Sequence, residues 1–390
     1  LDTSLNHEED DLEIDEPQSD IVPIRRSTRT RHTSDLTDIR AIRILIAIAA
    51  YYDYEIWQMD VKTPFLNGYL NDKVYMEQLE DFVNLKYPNR VCKLKRSIYG
   101  LKQASRQWNK RFDDEIKKFG FTQNHDEPCV YQKASGSNIT FLILYVDDIL
   151  IMGNSIPMLQ SVKTYLRKCF AMIDLGEAAY ILGIKIYRDR SKRLIGLCQS
   201  AYIEKILKRY YMENSKRGSI PMQEKLKMSK SQGASTLAEL KRMQNVPYAS
   251  AVGSIMYTVR CTHPDVANTK DVFLVYGDWI CVRLNGGAVD WKSAKQRIFT
   301  TSSAEAEYIA TFDASKEAVW VRKFISGLSG ARHFRAKVHY LREVIDLGDI
   351  KLEKVHTDDN LTDPFTKASA FPKHSEHIKN IGMLPASSLM

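Results

Sequence analysis

The sequence lacks long hydrophobic runs and lacks paired cysteines. Its longest apolar run, residues 44–50, is far shorter than the roughly 18–20 residues that a membrane-spanning helix needs. The six cysteines are scattered and none forms a C-x-x-C pair, which argues against a zinc site and against a disulfide scaffold. The first residues have neither the basic nor the apolar segment of a secretory signal. We therefore expect a cytoplasmic protein without a membrane partner.

Charge is distributed unevenly along the chain. The net charge is +8, yet residues 1–22 hold nine acidic residues and no Lys or Arg. The remainder therefore has 56 basic and 39 acidic residues, a net charge of +17. A surplus of this size indicates a polyanionic partner, most simply nucleic acid. A solvated surface that is merely rich in Lys is the alternative interpretation.

The hydrophobic pattern predicts an α+β fold, because helical and strand-like segments follow one another without regular βαβ alternation. Residues 1–38 are acidic and then Arg-rich, with little to bury, so we expect them to be disordered. The pattern predicts helices over 38–47, 106–119, 156–170, 200–211, 303–328 and 337–347, strands over 54–61, 180–187, 193–198 and near 286–291, a hairpin over 139–152, and a Lys-rich loop over 213–245.

Two adjacent aspartates, Asp147 and Asp148, lie at the predicted tip of the 139–152 hairpin. Its arms are wholly apolar, which places the two carboxylates at the edge of a core. Like charges held this close favour protonation of one carboxylate unless a cation neutralises them. Oxygen-only ligation suits Mg²⁺. As a bare dipeptide, however, Asp-Asp in a turn is more often structural, because Asp bonds its own backbone there.

Asp60 is the natural partner of this pair, since it also ends an apolar strand. Three carboxylates from two adjacent strands could hold two metal ions about 3.5–4 Å apart, the geometry that serves phosphoryl transfer. Spacing alone does not distinguish such a site from three unrelated acids.

Three segments, in this order, carry a specific resemblance. They are 58–68 (QMDVKTPFLNG), 97–108 (SIYGLKQASRQW) and 145–148 (YVDD). Together they resemble the polymerase motifs of Ty1/copia-type LTR retrotransposon reverse transcriptases, especially those of plant copia elements. The resemblance covers nearly everything from about residue 36 onward.

This resemblance implies a fold and an activity. The fold would be a right-hand polymerase palm, a mixed sheet with helices, over 39–212. A thumb or connection remnant would follow over 213–270, and a degenerate, truncated ribonuclease H-like α/β domain over 271–390. The activity would be RNA-directed DNA synthesis with two Mg²⁺ ions, for which Mn²⁺ could substitute. The implied partners are an RNA or DNA template with its primer, dNTP, and other products of a retrotransposon polyprotein.

The resemblance also assigns roles by matching position. It gives metal binding and catalysis to Asp60, Asp147 and Asp148, nucleotide contacts to Phe65, Gln103 and Tyr145, and the primer grip to Leu182 and Gly183. Phe65 would be the steric gate that excludes a ribose 2′-OH. From the residues alone, Phe65 and Leu182 could simply fill a core, and Gln103 could be a solvated helix residue.

The C-terminal part resembles the family's ribonuclease H domain, with Glu307 and Asp363 as its catalytic remnants. Without the resemblance both would be ordinary exposed acids. The strands expected to carry two further carboxylates are missing after 265 and after 328, and most of the fingers region is missing before residue 39. The resemblance therefore implies an inactive ribonuclease H and an impaired polymerase. A catalytically inactive nucleic-acid-binding remnant is the alternative.

Overall fold

The computed structural model describes residues 34–216, 218, 233–266, 277–295, 303–328 and 371–383. In chain order, the elements up to residue 209 are α1 (Ser34–Tyr52), β1 (Glu55–Val61), β2 (Tyr75–Met76), β3 (Cys92–Lys93), α2 (Ala104–Lys118), β4 (Thr122–Gln123), β5 (Val130–Ser135), β6 (Asn138–Tyr145), β7 (Asp148–Gly153), α3 (Ile156–Cys169), β8 (Met172–Glu177), β9 (Tyr180–Ile181), β10 (Ile184–Asp189), β11 (Leu194–Cys198) and α4 (Ser200–Arg209). They are followed by α5 (Leu237–Gln244), α6 (Tyr248–Cys261), β12 (Gly277–Leu284), β13 (Gly287–Lys295), α7 (Ser303–Gly327) and α8 (Phe371–Asn380).

A six-stranded sheet in the order β4-β5-β6-β7-β1-β8 organises the described residues. Each of its neighbouring pairs is antiparallel. The expectation of a mixed sheet is therefore wrong for this sheet. The reason is topological: β5, β6 and β7 are joined by tight hairpins, and β1 enters beside β7 in the opposite direction.

Successive side chains of a strand point to opposite faces of the sheet, and the apolar ones form two hydrophobic cores, one on each face. On one face, β1 and β7 contribute Ile56, Leu150 and Met152 to a core that also contains the buried side of α1. On the other face, Met59 and Ile151 pack against α2 and α3. The predicted helices over 106–119 and 156–170 and the predicted hairpin over 139–152 are confirmed.

Helix α1 begins at Ser34, so its first five residues fall within the 1–38 segment that the sequence predicts to be disordered. Residues 1–33 lie outside the described part of the chain.

The predicted strand over 180–187 is a hairpin, β9–β10, in which Ile181 pairs with Ile184. Leu182 and Gly183 both have positive φ, 53° and 74°, which reverses the chain as a type I′ turn does. Strand β11 then completes a three-stranded sheet, and helix α4 follows where it was predicted.

The predicted loop over 213–245 contains a helix, α5. Its start is a capping box: Thr236 Oγ1 accepts a hydrogen bond from the Glu239 backbone N–H, and the Glu239 carboxylate accepts one from the Thr236 N–H. This S/T-x-x-E signature marks a helix start more reliably than the polar composition of the segment marks a loop.

The C-terminal elements pack against α1. Strand β13 includes the predicted strand near 286–291 and pairs with β12 across an Asn285-Gly286 turn. Val289 and, from the end of α7, Val321, Phe324 and Leu328 join the same core as α1. Helix α7 confirms the helix predicted over 303–328, whereas the helix predicted over 337–347 lies outside the described residues. No helix of the described residues is long and apolar enough to cross a membrane.

Candidate active site

Asp60 and Asp148 lie directly opposite each other at the ends of β1 and β7. Opposed residues of an antiparallel pair project from the same face, with their Cβ atoms about 4.5–5.5 Å apart. Asp147 is tied to the same place through its backbone, because its carbonyl accepts a hydrogen bond of 2.9 Å from the Val61 N–H. The fold thus brings Asp60 to the strand end that holds Asp147 and Asp148, which are 87 and 88 positions later in the sequence.

The turn that carries Asp147 is strained. Tyr145 pairs with Asp148, so Val146 and Asp147 form a two-residue loop in which Val146 has a φ of 55°. The left-handed region costs an L-residue roughly 1–2 kcal/mol, and a β-branched side chain is especially rare there. The buried Trp108 on α2 holds the turn, since its Nε1 donates to the Val146 carbonyl at 2.6 Å. Backbone strain maintained by its surroundings is typical of functional sites.

The electrostatics of the site centre on Asp148. Burial raises the pKa of Asp148, and the charges of Asp147 and Asp60 raise it further. A hydrogen bond of 2.9 Å from Gln58 Nε2 to Asp148 Oδ1 opposes this rise in pKa. Sequence analysis did not single out Gln58. It precedes Asp60 by two residues on β1, so the two side chains project from the same face of the sheet.

The donor atoms at this strand end suit a hard divalent cation. They are carboxylate oxygens, the ligands that Mg²⁺ prefers, and a cation would relieve the repulsion that raises the pKa of Asp148. Asp60, Asp147 and Asp148 therefore fit such an ion by donor type and by register. Across the residues that the structure describes, no group of three His, Cys, Asp or Glu side chains is already arranged as a metal site.

Phe65 and Gln103 lie on two segments that pack against each other. Phe65 belongs to a 3-10 turn, Pro64–Asn67, and its ring meets that of Tyr99 edge-on at 4.9 Å. Gln103 immediately precedes α2 and is partly exposed. Arg111 of α2 fastens the turn by donating to the Asn67 carbonyl at 2.7 Å.

Leu182 and Gly183 form the β9–β10 turn, in the three-stranded sheet and not in the sheet that holds the aspartates. Leu182 is a second non-glycine residue in the left-handed region, with a φ of 53°. Its carbonyl accepts a hydrogen bond of 3.4 Å from the Tyr257 hydroxyl on α6. Tyr257 is another residue that sequence analysis did not single out.

Of the two ribonuclease H candidates, the described residues include only Glu307. Glu307 lies on α7, and Asp363 is outside the described part of the chain. The structure reveals a different buried carboxylate, Asp290 of β13, which pairs with Arg40 at 3.4 Å and with Arg43 at 3.9 Å. Burial raises the pKa of Asp290, and these two arginines oppose the rise.

Comparison with known proteins gives a consistent set of relatives. The family described as reverse transcriptase (RNA-dependent DNA polymerase) matches residues 30–224, half of the chain. The retrovirus-related Pol polyprotein from transposon TNT 1-94 of Nicotiana tabacum is 34% identical over 86% of this chain and 31% of its own length. The corresponding polyprotein from transposon RE1 of Arabidopsis thaliana is 27% identical over 88% of this chain and 28% of its own length.

A shorter relative, the putative transposon Ty5-1 protein of Saccharomyces cerevisiae, is 32% identical over 54% of this chain and 66% of its own length. No solved structure matches the chain significantly. The chain spans about three tenths of the length of the two plant polyproteins. With the aspartates at one strand end and with these matches, the chain belongs to the reverse transcriptase (RNA-dependent DNA polymerase) family, as a region of a copia-type retrotransposon Pol polyprotein.

Proposed function

We propose that this chain is an RNA-directed DNA polymerase that extends a primer on an RNA or DNA template, using dNTP. The observation that carries the proposal is the register of β1 and β7, which sets Asp60 opposite Asp148 with Asp147 in the adjoining turn. The family match over residues 30–224 supports the same reaction class.

In this reaction the primer 3′ oxygen loses its proton and attacks the α-phosphorus of the dNTP. The bond between the α-phosphorus and the bridging oxygen breaks, and pyrophosphate leaves. Asp60, Asp147 and Asp148 would hold two divalent ions, Mg²⁺ or Mn²⁺, which when bound stabilise charge on the attacking and leaving oxygens.

The protein's own contribution is to orient the carboxylates before the substrates bind. Gln58 donates to one oxygen of Asp148, and Trp108 donates to the carbonyl of the strained Val146 turn. Such preorganisation is useful because a site that is already oriented does not have to reorganise during the reaction.

The remaining roles concern the substrates. Phe65 would exclude a ribose 2′-OH, Gln103 and Tyr145 would contact the incoming nucleotide, and the Leu182-Gly183 turn would support the primer end. The net charge of +17 outside residues 1–22 favours a nucleic-acid partner. Glu307 and Asp363 would be remnants of a ribonuclease H that no longer cleaves RNA.

A second candidate function is nucleic-acid binding without catalysis. The specific observation in its favour is that no three acidic, His or Cys side chains among the described residues converge on a metal position. Such a protein would bind duplex with an affinity whose logarithm falls linearly with the logarithm of the salt concentration, and would not extend primers.

Primer extension on an RNA template with Mg²⁺ separates the two candidates. We expect the wild-type chain to extend the primer and Asp147→Asn to abolish extension, with duplex affinity unchanged within a few fold. Asp114→Asn, the same change at an exposed position on α2, is the matched control and should leave extension unchanged. Duplex binding by a cooperatively folded wild-type chain that does not extend primers would refute the polymerase and support the second candidate.

A further inference from the structure

The β9–β10 turn is in a conformation that its own sequence does not favour. Leu182 has a φ of 53°, a region in which non-glycine residues are uncommon and leucine has no side-chain hydrogen bond to compensate. A residue persists in this region when surrounding contacts determine its position. The polar contact that reaches this residue from outside its sheet comes from Tyr257, 75 positions later in the chain, whose hydroxyl donates to the Leu182 carbonyl at 3.4 Å.

Tyr257 is itself firmly placed. Its ring lies against Tyr202 of α4, with the ring centroids 4.8 Å apart. The carboxyl-terminal turn of α6 is fastened from two other elements: Trp291 Nε1 donates to the Val259 carbonyl at 2.6 Å, and Arg43 donates to the Arg260 carbonyl at 2.8 Å. A helix end whose free carbonyls are satisfied in this way does not fray.

We propose that Tyr257 is a positioning residue, which holds the β9–β10 turn against α6 and so fixes the turn that would support the primer end. This inference rests on the proposed polymerase function. The hydroxyl is the group that matters, because the ring contact with Tyr202 remains in a phenylalanine variant. Tyr257 acts through the Leu182 carbonyl and does not itself touch the reacting atoms.

The test compares Tyr257→Phe with Tyr248→Phe, the same change at an exposed position at the start of the same helix. Losing the hydrogen bond from the Tyr257 hydroxyl to the Leu182 carbonyl should slow single-turnover nucleotide addition about fivefold, with duplex Kd within about twofold of wild type. The Tyr248 variant should match wild type in both. An addition rate for Tyr257→Phe equal to that of wild type would overturn the inference and leave the proposed polymerase standing.

Hydrogen–deuterium exchange gives a readout that does not depend on activity. The peptide covering 180–185 should exchange about fivefold faster in Tyr257→Phe than in wild type, and at the wild-type rate in Tyr248→Phe. Unchanged exchange over 180–185 would overturn the link between α6 and the turn. If exchange responds as expected but the wild-type chain does not extend primers, the proposed function and the catalytic role of Tyr257 both fail, while the structural link stands.

Discussion

Replacing Arg43 by Met should destabilise the whole described fold. Arg43 is a buried arginine on α1, and it donates to the Val289 carbonyl at 2.7 Å and to the Arg260 carbonyl at 2.8 Å. It also pairs with Asp290 at 3.9 Å and lies over the ring of Trp291 at 3.7 Å. One side chain thus joins α1, β13 and α6.

Two effects of the replacement oppose each other. Burial lowers the pKa of Arg43 to about 10, so the native state pays a desolvation cost that Met would remove. Against this, Met leaves Asp290 with one cation fewer and removes the Arg43 donors from three backbone carbonyls, those of Val289, Arg260 and Cys261. Removing one partner of a buried ion pair typically costs about 3–5 kcal/mol. Because Asp290 keeps Arg40 at 3.4 Å, we expect the lower end, a loss of about 3 kcal/mol in the free energy of unfolding.

Urea unfolding followed by tryptophan fluorescence measures this loss. Arg106→Met is the matched control, because Arg106 is exposed on α2 and should change stability by no more than about 0.5 kcal/mol. A double-mutant cycle with Asp290→Asn should show coupling of at least about 1 kcal/mol between the two positions. A loss for Arg43→Met as small as that of the control would refute the packing of β13 and α6 against α1.

Two further outcomes concern the candidate active site. Trp108→Phe removes the Nε1 donor to the Val146 carbonyl and should lower the free energy of unfolding in urea by about 1–3 kcal/mol; a neutral change would contradict the role given to Trp108. Because the pKa of Asp148 is raised in the native state, its contribution to stability is present below the ordinary carboxyl pKa and is lost as pH rises through the folded value. Asp148→Asn should therefore raise Tm at pH 7 but not at about pH 3, and a lower Tm at pH 7 would contradict this account.

The regular elements were largely predictable because their patterns are local. Helix α2 follows from the spacing of Trp108, Phe112 and Ile116, and it ends just before Gly120, which has a φ of 90°. The β6–β7 hairpin follows from two apolar arms around a polar turn. Two segments were assigned wrongly because a few residues decide their structure. The Thr236/Glu239 capping box starts α5 within the predicted loop, and the turn at Leu182 divides the predicted strand into β9 and β10.

The candidate site was predictable only in part. The three aspartates could be named from motifs, and their positions at strand ends follow from the hydrophobic pattern. The contacts of Gln58, Trp108 and Tyr257 could not be predicted in this way, because each residue donates to an atom 38 or more positions away in the chain. Their contacts depend on how strands and helices pack, which no local spacing encodes.

The sequence by itself determined the family, the order of the motifs and the alternation that makes Asp60 and Asp148 end their strands. It did so because hydrophobic periodicity and motif residues are properties of short segments. Only the tertiary structure decided that β1 lies beside β7 in antiparallel register and that β13 and α7 pack on α1. Register and packing depend on segments that are distant in the chain: Asp60 pairs with Asp148, 88 positions later, and Arg43 donates to the Val289 carbonyl, 246 positions later.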